Sequence, residues 1–264
     1  MADWALNFDA AFVDLDENGY PVSSKVPIIV GYHEDFTPVW SPDGEWIAFH
    51  SHRSDRPVSS YSAEGSTDDI YLRRPQASQE DEIRLTDFGW EVGTPDWSPD
   101  GRKLVFTSWS REEEGVGEAW VVTIDPATGE LISAERLVVP EGIRTVSQAR
   151  WSPAGELAVL EDLEGSRQAL WVMSETGSWA EKLWEFDSSP HGGLDWTPDG
   201  KSIVFSAFSE DRMQLFGIPR SGGEPRRLST DQASLADPQV SPDGRWIACS
   251  RVDHSKELRR MKLK

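Results

Sequence analysis

The chain has 264 residues, of which 38% are hydrophobic, and its 46 acidic and 26 basic residues give a formal net charge of −20. This length and apolar content are enough for one large domain with a substantial core. A surface of this charge repels phosphates, which argues against nucleic acid as a partner. No apolar run reaches about eighteen residues, so no membrane span is predicted, and the single cysteine, Cys249, excludes an internal disulfide.

The N-terminal region predicts a pair of strands rather than a targeting segment. The first residues, MADWALNFDA, have neither the basic start nor the apolar stretch of a secretory leader. The default expectation is therefore a cytoplasmic protein, or a periplasmic or secreted one if a leader has been removed. Residues 10–30 align by eye with residues 119–139, and both segments are typical of a strand, a glycine-containing turn and a second strand.

One phrase of ten residues recurs five times along the chain. WSPDGEWIAF at 40–49 returns as WSPDGRKLVF at 97–106, WSPAGELAVL at 151–160, WTPDGKSIVF at 196–205 and VSPDGRWIAC at 240–249. Ser-Pro-Asp-Gly favours a type I turn followed by a left-handed glycine, and the apolar residues after it favour a strand. Each copy therefore predicts a tight hairpin of strands a and b, with the hairpins starting near 37, 94, 148, 193 and 237.

Two further strands are predicted after each of the first four hairpins. Strand c is expected at 69–74, 118–125, 168–174 and 213–219, and strand d at 83–86, 135–139, 182–186 and 226–229. Four antiparallel strands repeated every 44 to 57 residues are typical of a β-propeller, in which each blade covers the bare face of its neighbour. The repeated tryptophan is interpreted as a packing residue between blades.

The number of blades follows from how the chain ends are assigned. If residues 10–30 supply strands c and d, they complete the C-terminal hairpin at 237–250 and close a ring of five blades across residues 1–264. The leftover segments DWALNFD (3–9) and ELRRMKL (257–263) also look like strands, which keeps a degenerate sixth blade as the alternative.

The phrase WSPDGxxIxF before an xIYL strand resembles the repeat of the TolB-like propeller family, also called PD40 or WD40-like. The resemblance covers essentially the whole chain and implies an all-β propeller. Members of that family include propellers attached to peptidases and polysaccharide lyases with a metal at one face. TolB itself carries an additional N-terminal α/β domain, for which this sequence has no room before residue 10, and no GxSxG nucleophile motif occurs.

All five histidines map to one predicted face of the propeller. We name it the loop face: the end where d→a and b→c connections emerge, opposite the turn face that carries the a→b and c→d turns. Because imidazole and carboxylate ligands together suit Mn, Zn or Fe, His33, His52 and His191 are the candidate metal ligands. His50 is set aside because it lies within a strand. The alternative is that these are solvated loop histidines, and no cofactor is expected beyond such a divalent metal.

Aromatic and acidic residues share the same predicted face. Tyr32, Glu34, Trp90, Trp109 and Phe208 are the candidate binding residues, since rings at a propeller mouth can hold apolar side chains of a partner. The leading prediction is a binding scaffold that presents an acidic, aromatic loop face to a protein or peptide. The alternatives are a metal-assisted lyase or hydrolase acting over the central channel, and a propeller domain of a larger enzyme or sensor. The pattern assigns neither catalytic residues nor an oligomeric state.

Overall fold

The computed structural model describes residues 11–12, 26–27, 34–52, 68–77, 79–88, 91–109, 116–188, 192–209, 211–229, 233–252 and 257–262. Its regular structure is β throughout, except for one 3-10 turn at Gln79–Asp81. Within these ranges, no helix has the length and apolar character needed to cross a membrane. The predicted all-β propeller fold is confirmed.

The strands are numbered here in chain order. A two-stranded sheet contains β1 (Ala11–Phe12) and β2 (Val26–Pro27). Blade 1 contains β3 (Glu34–Trp40), β4 (Ile47–His52), β5 (Asp69–Arg73) and β6 (Ile83–Arg84). Blade 2 contains β7 (Glu91–Trp97), β8 (Lys103–Trp109), β9 (Gly117–Ile124) and β10 (Leu131–Arg136).

The remaining blades follow the same order of strands. Blade 3 contains β11 (Gln148–Trp151), β12 (Glu156–Leu163), β13 (Arg167–Ser174) and β14 (Ala180–Asp187). Blade 4 contains β15 (Leu194–Trp196), β16 (Ser202–Ser209), β17 (Arg212–Pro219) and β18 (Arg226–Arg227). Blade 5 contains β19 (Ser234–Val240), β20 (Trp246–Val252) and β21 (Glu257–Lys262). The described residues therefore form four complete four-stranded blades and a fifth sheet of three strands.

The a→b turns show why the ten-residue phrase recurs. In blade 2, Ser98 Oγ donates to Asp100 Oδ1 at 2.7 Å, and the same carboxylate accepts the Arg102 N–H at 3.1 Å. Gly101 follows with φ +67°, a conformation that disfavours side chains with a Cβ. The same Ser/Thr-to-Asp contact recurs in blades 1, 4 and 5, so turn chemistry sets the register of four hairpins.

The outer strand of blade 2 lies earlier in the chain than predicted. The sequence places strand d at 135–139, whereas β10 spans Leu131–Arg136. The c→d turn is closed by hydrogen bonds from the Asp125 N–H to the Glu130 carbonyl and from the Gly129 N–H to the Asp125 carbonyl. Because this turn is so short, pairing begins immediately after it.

The core consists of the interfaces between consecutive blades. Separate apolar clusters join blades 1 and 2, blades 2 and 3, blades 3 and 4, and blades 4 and 5. The repeat tryptophans Trp97, Trp151 and Trp196 are buried, and Trp196 Nε1 donates to the Arg150 carbonyl of the preceding blade at 3.2 Å. Their predicted role as packing residues is confirmed. Trp40, the repeat tryptophan of blade 1, is 51% exposed.

The two ends of the chain pair differently from the predicted ring closure. On the side away from β19, β20 pairs with β21, in a register that runs from Trp246↔Lys262 to Arg251↔Glu257. The segment at 10–30, expected in that position, contributes β1 and β2 as a sheet of their own. A strand that follows β20 by a few residues has a smaller loop-closure cost than one at the far end of the chain, which explains this difference.

Candidate functional site

The aromatic cluster at the loop face is built where blade 1 meets blade 2. Phe36, near the start of β3, stacks on His50 of β4 with ring centroids 5.1 Å apart. The Nδ1 atom of His50 shares a hydrogen bond of 2.9 Å with the Thr37 hydroxyl. This bond fixes the orientation of the imidazole, which is half-buried.

Trp109 reaches the same place from blade 2. A Cβ atom at Gly93 would lie 3.5 Å from the Trp109 ring and 3.6 Å from His50 Nδ1, so the two rings converge over this glycine. A Cβ at Gly117 would lie only 2.5 Å from the Val146 carbonyl oxygen and 3.3 Å from Trp109 Nε1. We name Phe36, His50 and Trp109 the aromatic cluster.

Backbone strain beside the aromatic cluster belongs to the scaffold. Thr37 has φ +47°, but Thr94 and Asp237 have φ +50° and +47°. Each of the three precedes a proline at a bulge of a first strand. Strain that marks a functional site is usually confined to that site, whereas this strain repeats in three blades.

A second polar group lines the inner side of the ring. The first strands of consecutive blades lie against one another, so they surround the axis of the propeller. The residue before the last position of the first strand is Asp96 in blade 2, Arg150 in blade 3 and Asp195 in blade 4. We name these three the inner charged residues.

Each inner charged residue bonds to a neighbouring blade. Asp96 Oδ2 accepts the Trp151 N–H at 2.6 Å, and Asp195 Oδ2 accepts the Val240 N–H at 2.6 Å. Arg150 Nη1 donates back to the Pro95 carbonyl at 3.0 Å. These side chains therefore join blade 2 to blade 3 and blade 4 to blade 5 near the axis, and their first role is structural.

The inner carboxylates have perturbed pKa values. Desolvation raises the pKa of Asp96 to about 7, although the Arg150 guanidinium and the Trp151 N–H both act to lower it. Desolvation likewise raises the pKa of Asp195, opposed by the Val240 N–H and by Arg150. Burial outweighs the single guanidinium because two carboxylates share it.

The structure describes only part of the predicted binding face. Tyr32 and Trp90 lie outside the described residues. The backbone register sets Glu34 opposite His52 at the end of blade 1. Trp109 is half-buried in the aromatic cluster, and Phe208 is 39% exposed at the corresponding end of β16 in blade 4.

His50 belongs to the aromatic cluster although the sequence analysis did not select it. Its hydrogen bond with Thr37 depends on the β-bulge of β3. The only sign of this bulge in the sequence is the Thr-Pro pair at residues 37 and 38.

The metal site at His33, His52 and His191 stays a prediction. His33 and His191 lie outside the described residues. Across the ranges that the structure describes, no group of three or more His, Cys, Asp or Glu side chains is arranged to hold a metal ion.

Comparisons with known proteins agree with this architecture. The chain is 30% identical over 217 residues to the uncharacterized peptidase YuxL of Bacillus subtilis (strain 168), an alignment that covers 81% of this chain and 29% of that protein. TolB from Acinetobacter baumannii superposes with a TM-score of 0.68 at 21% identity, covering 96% of this chain and 57% of that one. A puromycin-hydrolyzing peptidase from Mycobacterium tuberculosis gives a TM-score of 0.63 at 15% identity over 90% and 38% of the two chains.

The structural likenesses establish the fold, since both identities are below one quarter. The chain spans less than a third of the Bacillus protein and less than two thirds of the Acinetobacter TolB chain. A family model described as the TolB beta propeller domain matches residues 85–264, which is more than half of the sequence. The chain therefore belongs to the TolB β-propeller family.

Proposed function

We propose that this propeller is a binding scaffold that presents its loop face to a protein or peptide partner. The observation that carries the proposal is the convergence of Phe36, His50 and Trp109 at the loop end of the first two blades. The exposed ring of Phe208 offers a further contact at the same end of blade 4. Half-buried aromatic rings with a polar edge are frequent anchors in protein interfaces.

The rigidity of the aromatic cluster supports this proposal. Its rings are held by strands rather than by connecting loops, and His50 is oriented by the Thr37 hydroxyl. A preorganised ring loses little side-chain entropy on binding, so more of the contact energy contributes to affinity.

The proposal is tested by selecting peptides against the intact chain and measuring their affinity by calorimetry. Trp109→Leu keeps an apolar side chain over Gly93 but removes the aromatic ring, and we expect it to weaken the selected peptides by about tenfold or more. The matched control is Trp184→Leu, because Trp184 lies on β14, an outer strand, and is 38% exposed. Peptides that bind both variants like the unaltered chain would refute the proposal.

A second candidate function is that of a propeller domain within a larger peptidase. It is favoured by the 30% identity to a Bacillus protein described as a peptidase, of which the alignment covers 29%. The test is the mass of the native polypeptide, detected in its source with an antibody to the propeller. A polypeptide with a hydrolase domain beyond these 264 residues would support this function, and one of matching length would exclude it.

The predicted metal site at His33, His52 and His191 can be tested separately. His52 belongs to β4 and would contribute an imidazole if His33 and His191 complete the site. Elemental analysis after dialysis without chelator should then find Mn, Zn or Fe in stoichiometric amount, and a His33→Ala, His191→Ala double variant should lose it. Equal metal content in both proteins would reject these ligands.

A further inference from the structure

The outer strand of blade 2 differs from the other described outer strands. In β10 (Leu131–Arg136) every residue except Ser133 is exposed, and Ile132 is 66% exposed. By contrast, β6 and β18 have only two residues each. The outer strand of blade 3, β14, is protected by charged side chains, among them the Lys182–Glu185 ion pair. In β10 the charged side chains are confined to its end, at Glu135 and Arg136, and long edges with few charges are the ones that accept a further strand.

The backbone of β10 has hydrogen-bonding groups directed away from the blade. The Leu137 N–H donates to the Ala119 carbonyl at 2.8 Å, and Glu135 pairs with Val121 in the same register. Because antiparallel strands alternate the direction of their polar groups, the N–H and C=O of Ala134 and Arg136 point away from β9. An extended chain can pair with them, as in β-strand addition.

A groove of about 360 Å³ runs beside this edge, between blade 2 and the c→d turn of blade 3. Apolar side chains from Val121, Leu137 and Val138 line it, with Lys103 and Glu175 beyond them. Val138 is 65% exposed. Alternate side chains of an added strand would point into this groove, because successive residues of a strand face opposite sides.

The charges around the groove favour a basic occupant. Lys103 is paired with Glu175, and Arg136 with Glu118 at 2.9 Å, so both basic groups are already neutralised. Glu135, which also lines the groove, is exposed and has no ion-pair partner among the described residues. A second copy of this chain would bring another net charge of −20 and be repelled.

We propose that an extended peptide whose groove-facing side chains are aliphatic except for one basic residue adds to blade 2 as a fifth strand along Leu131–Arg136. Its aliphatic side chains fill the groove, and a basic side chain lies beside Glu135. This edge is separate from the loop face, so the inference does not depend on the proposed function.

The test is fluorescence anisotropy of the full chain with the labelled valine–lysine peptide VSVSKSVS, whose valine and lysine side chains all lie on one face of an extended strand. In the valine–glutamate peptide VSVSESVS, glutamate replaces this lysine. Ala134→Pro removes an N–H that makes no bond to β9, so the fold tolerates it. We expect this variant to bind about tenfold more weakly or worse. Ala134→Val, which retains the N–H, should bind within about twofold of the unaltered chain. The valine–glutamate peptide should bind about tenfold more weakly than the valine–lysine peptide.

Further controls keep the test decisive. If Ala134→Pro does not fold, a peptide N-methylated at alternate residues replaces it and should fail to bind. Trp109→Leu should leave binding of the valine–lysine peptide unchanged, which separates this edge from the loop face. Equal affinity of Ala134→Pro and the unaltered chain, or no saturation by about 1 mM peptide, would overturn the proposal. So would sedimentation showing a dimer that Ala134→Pro converts to a monomer, because the occupant would then be a second copy.

Discussion

At the scale of single residues, the aspartates that precede two of the repeat tryptophans both join neighbouring blades and have raised pKa values. Asp96 and Asp195 accept backbone N–H groups of the next blade, and burial raises the pKa of both. The hydrogen bonds favour the ionised carboxylate, whereas desolvation favours the protonated form. The raised pKa values show that desolvation dominates, with consequences for stability.

Asp96→Asn tests this balance. A carboxyl whose pKa is raised to about 7 takes up its proton more readily in the folded chain than in the unfolded chain. Its contribution to stability is therefore complete below about pH 4 and lost as pH rises through about 7. The side chain of the variant does not titrate. The unfolding free energy of the variant should therefore rise relative to that of the unaltered chain between about pH 4 and pH 7, by on the order of 1 kcal/mol for each pH unit.

Denaturant titrations at several pH values measure that difference. The control is Asp100→Asn, because a hydrogen bond from Ser98 holds the pKa of Asp100 below its usual value, and its difference from the unaltered chain should change only at acid pH. If the difference in unfolding free energy between Asp96→Asn and the unaltered chain did not vary with pH, Arg150 and the Trp151 N–H would fully offset the desolvation of Asp96, and the expected raised pKa would be wrong.

Residue types in the sequence predicted packing better than they predicted the aromatic cluster. The packing role of Trp97, Trp151 and Trp196 could be predicted from repetition, because a tryptophan at the same position of each blade is expected to do the same thing in each. The sequence analysis set His50 aside because it lies within a strand, yet it belongs to the aromatic cluster. Its place beside Trp109 depends on Gly93, which carries no side chain between them, and on blade-to-blade contact that the local sequence does not encode.

At the scale of elements, the hairpin turn was the best-predicted feature. Ser41 Oγ accepts the Trp46 N–H at 2.9 Å, and Asp43 accepts the Glu45 N–H at 3.0 Å. Blade 3 has alanine in place of this aspartate, and its turn closes one residue earlier, with Ser152 Oγ accepting the Glu156 N–H. The turn of blade 3, which lacks the carboxylate, therefore has a different hydrogen-bond pattern from the other turns, although the repeated phrase predicts the same turn in every blade.

Asp100→Ala should reproduce that loss in blade 2. The Ser98 hydroxyl and the Arg102 N–H lose their acceptor, so we expect a cost of about 1 kcal/mol, discounted for solvent screening. The melting temperature should fall by about 2–4 °C. Because the pKa of Asp100 is lowered in the folded chain, this stabilisation is present above about pH 4 and is lost as pH falls through the lowered pKa. Thermal unfolding at pH 7 and pH 3 measures it, and an equal effect at both would contradict the role of the charge.

At the scale of the whole molecule, the order of blades followed from the sequence but their closure did not. The five repeats predict that consecutive blades are neighbours, and the four apolar clusters between blades confirm this order. The partner of β20 could not be predicted, because both 10–30 and 257–263 have the composition of a strand. The strand that pairs with β20 is the one nearer to it in the sequence.

Amide hydrogen exchange of the full chain, measured with and without a selected peptide, shows whether the loop face binds a partner. We expect the bound peptide to slow exchange in residues 47–52 and 103–109, which carry His50 and Trp109 and end at the loop face. Slower exchange confined to the turns at 41–46 and 98–102, on the turn face of the same blades, would contradict it.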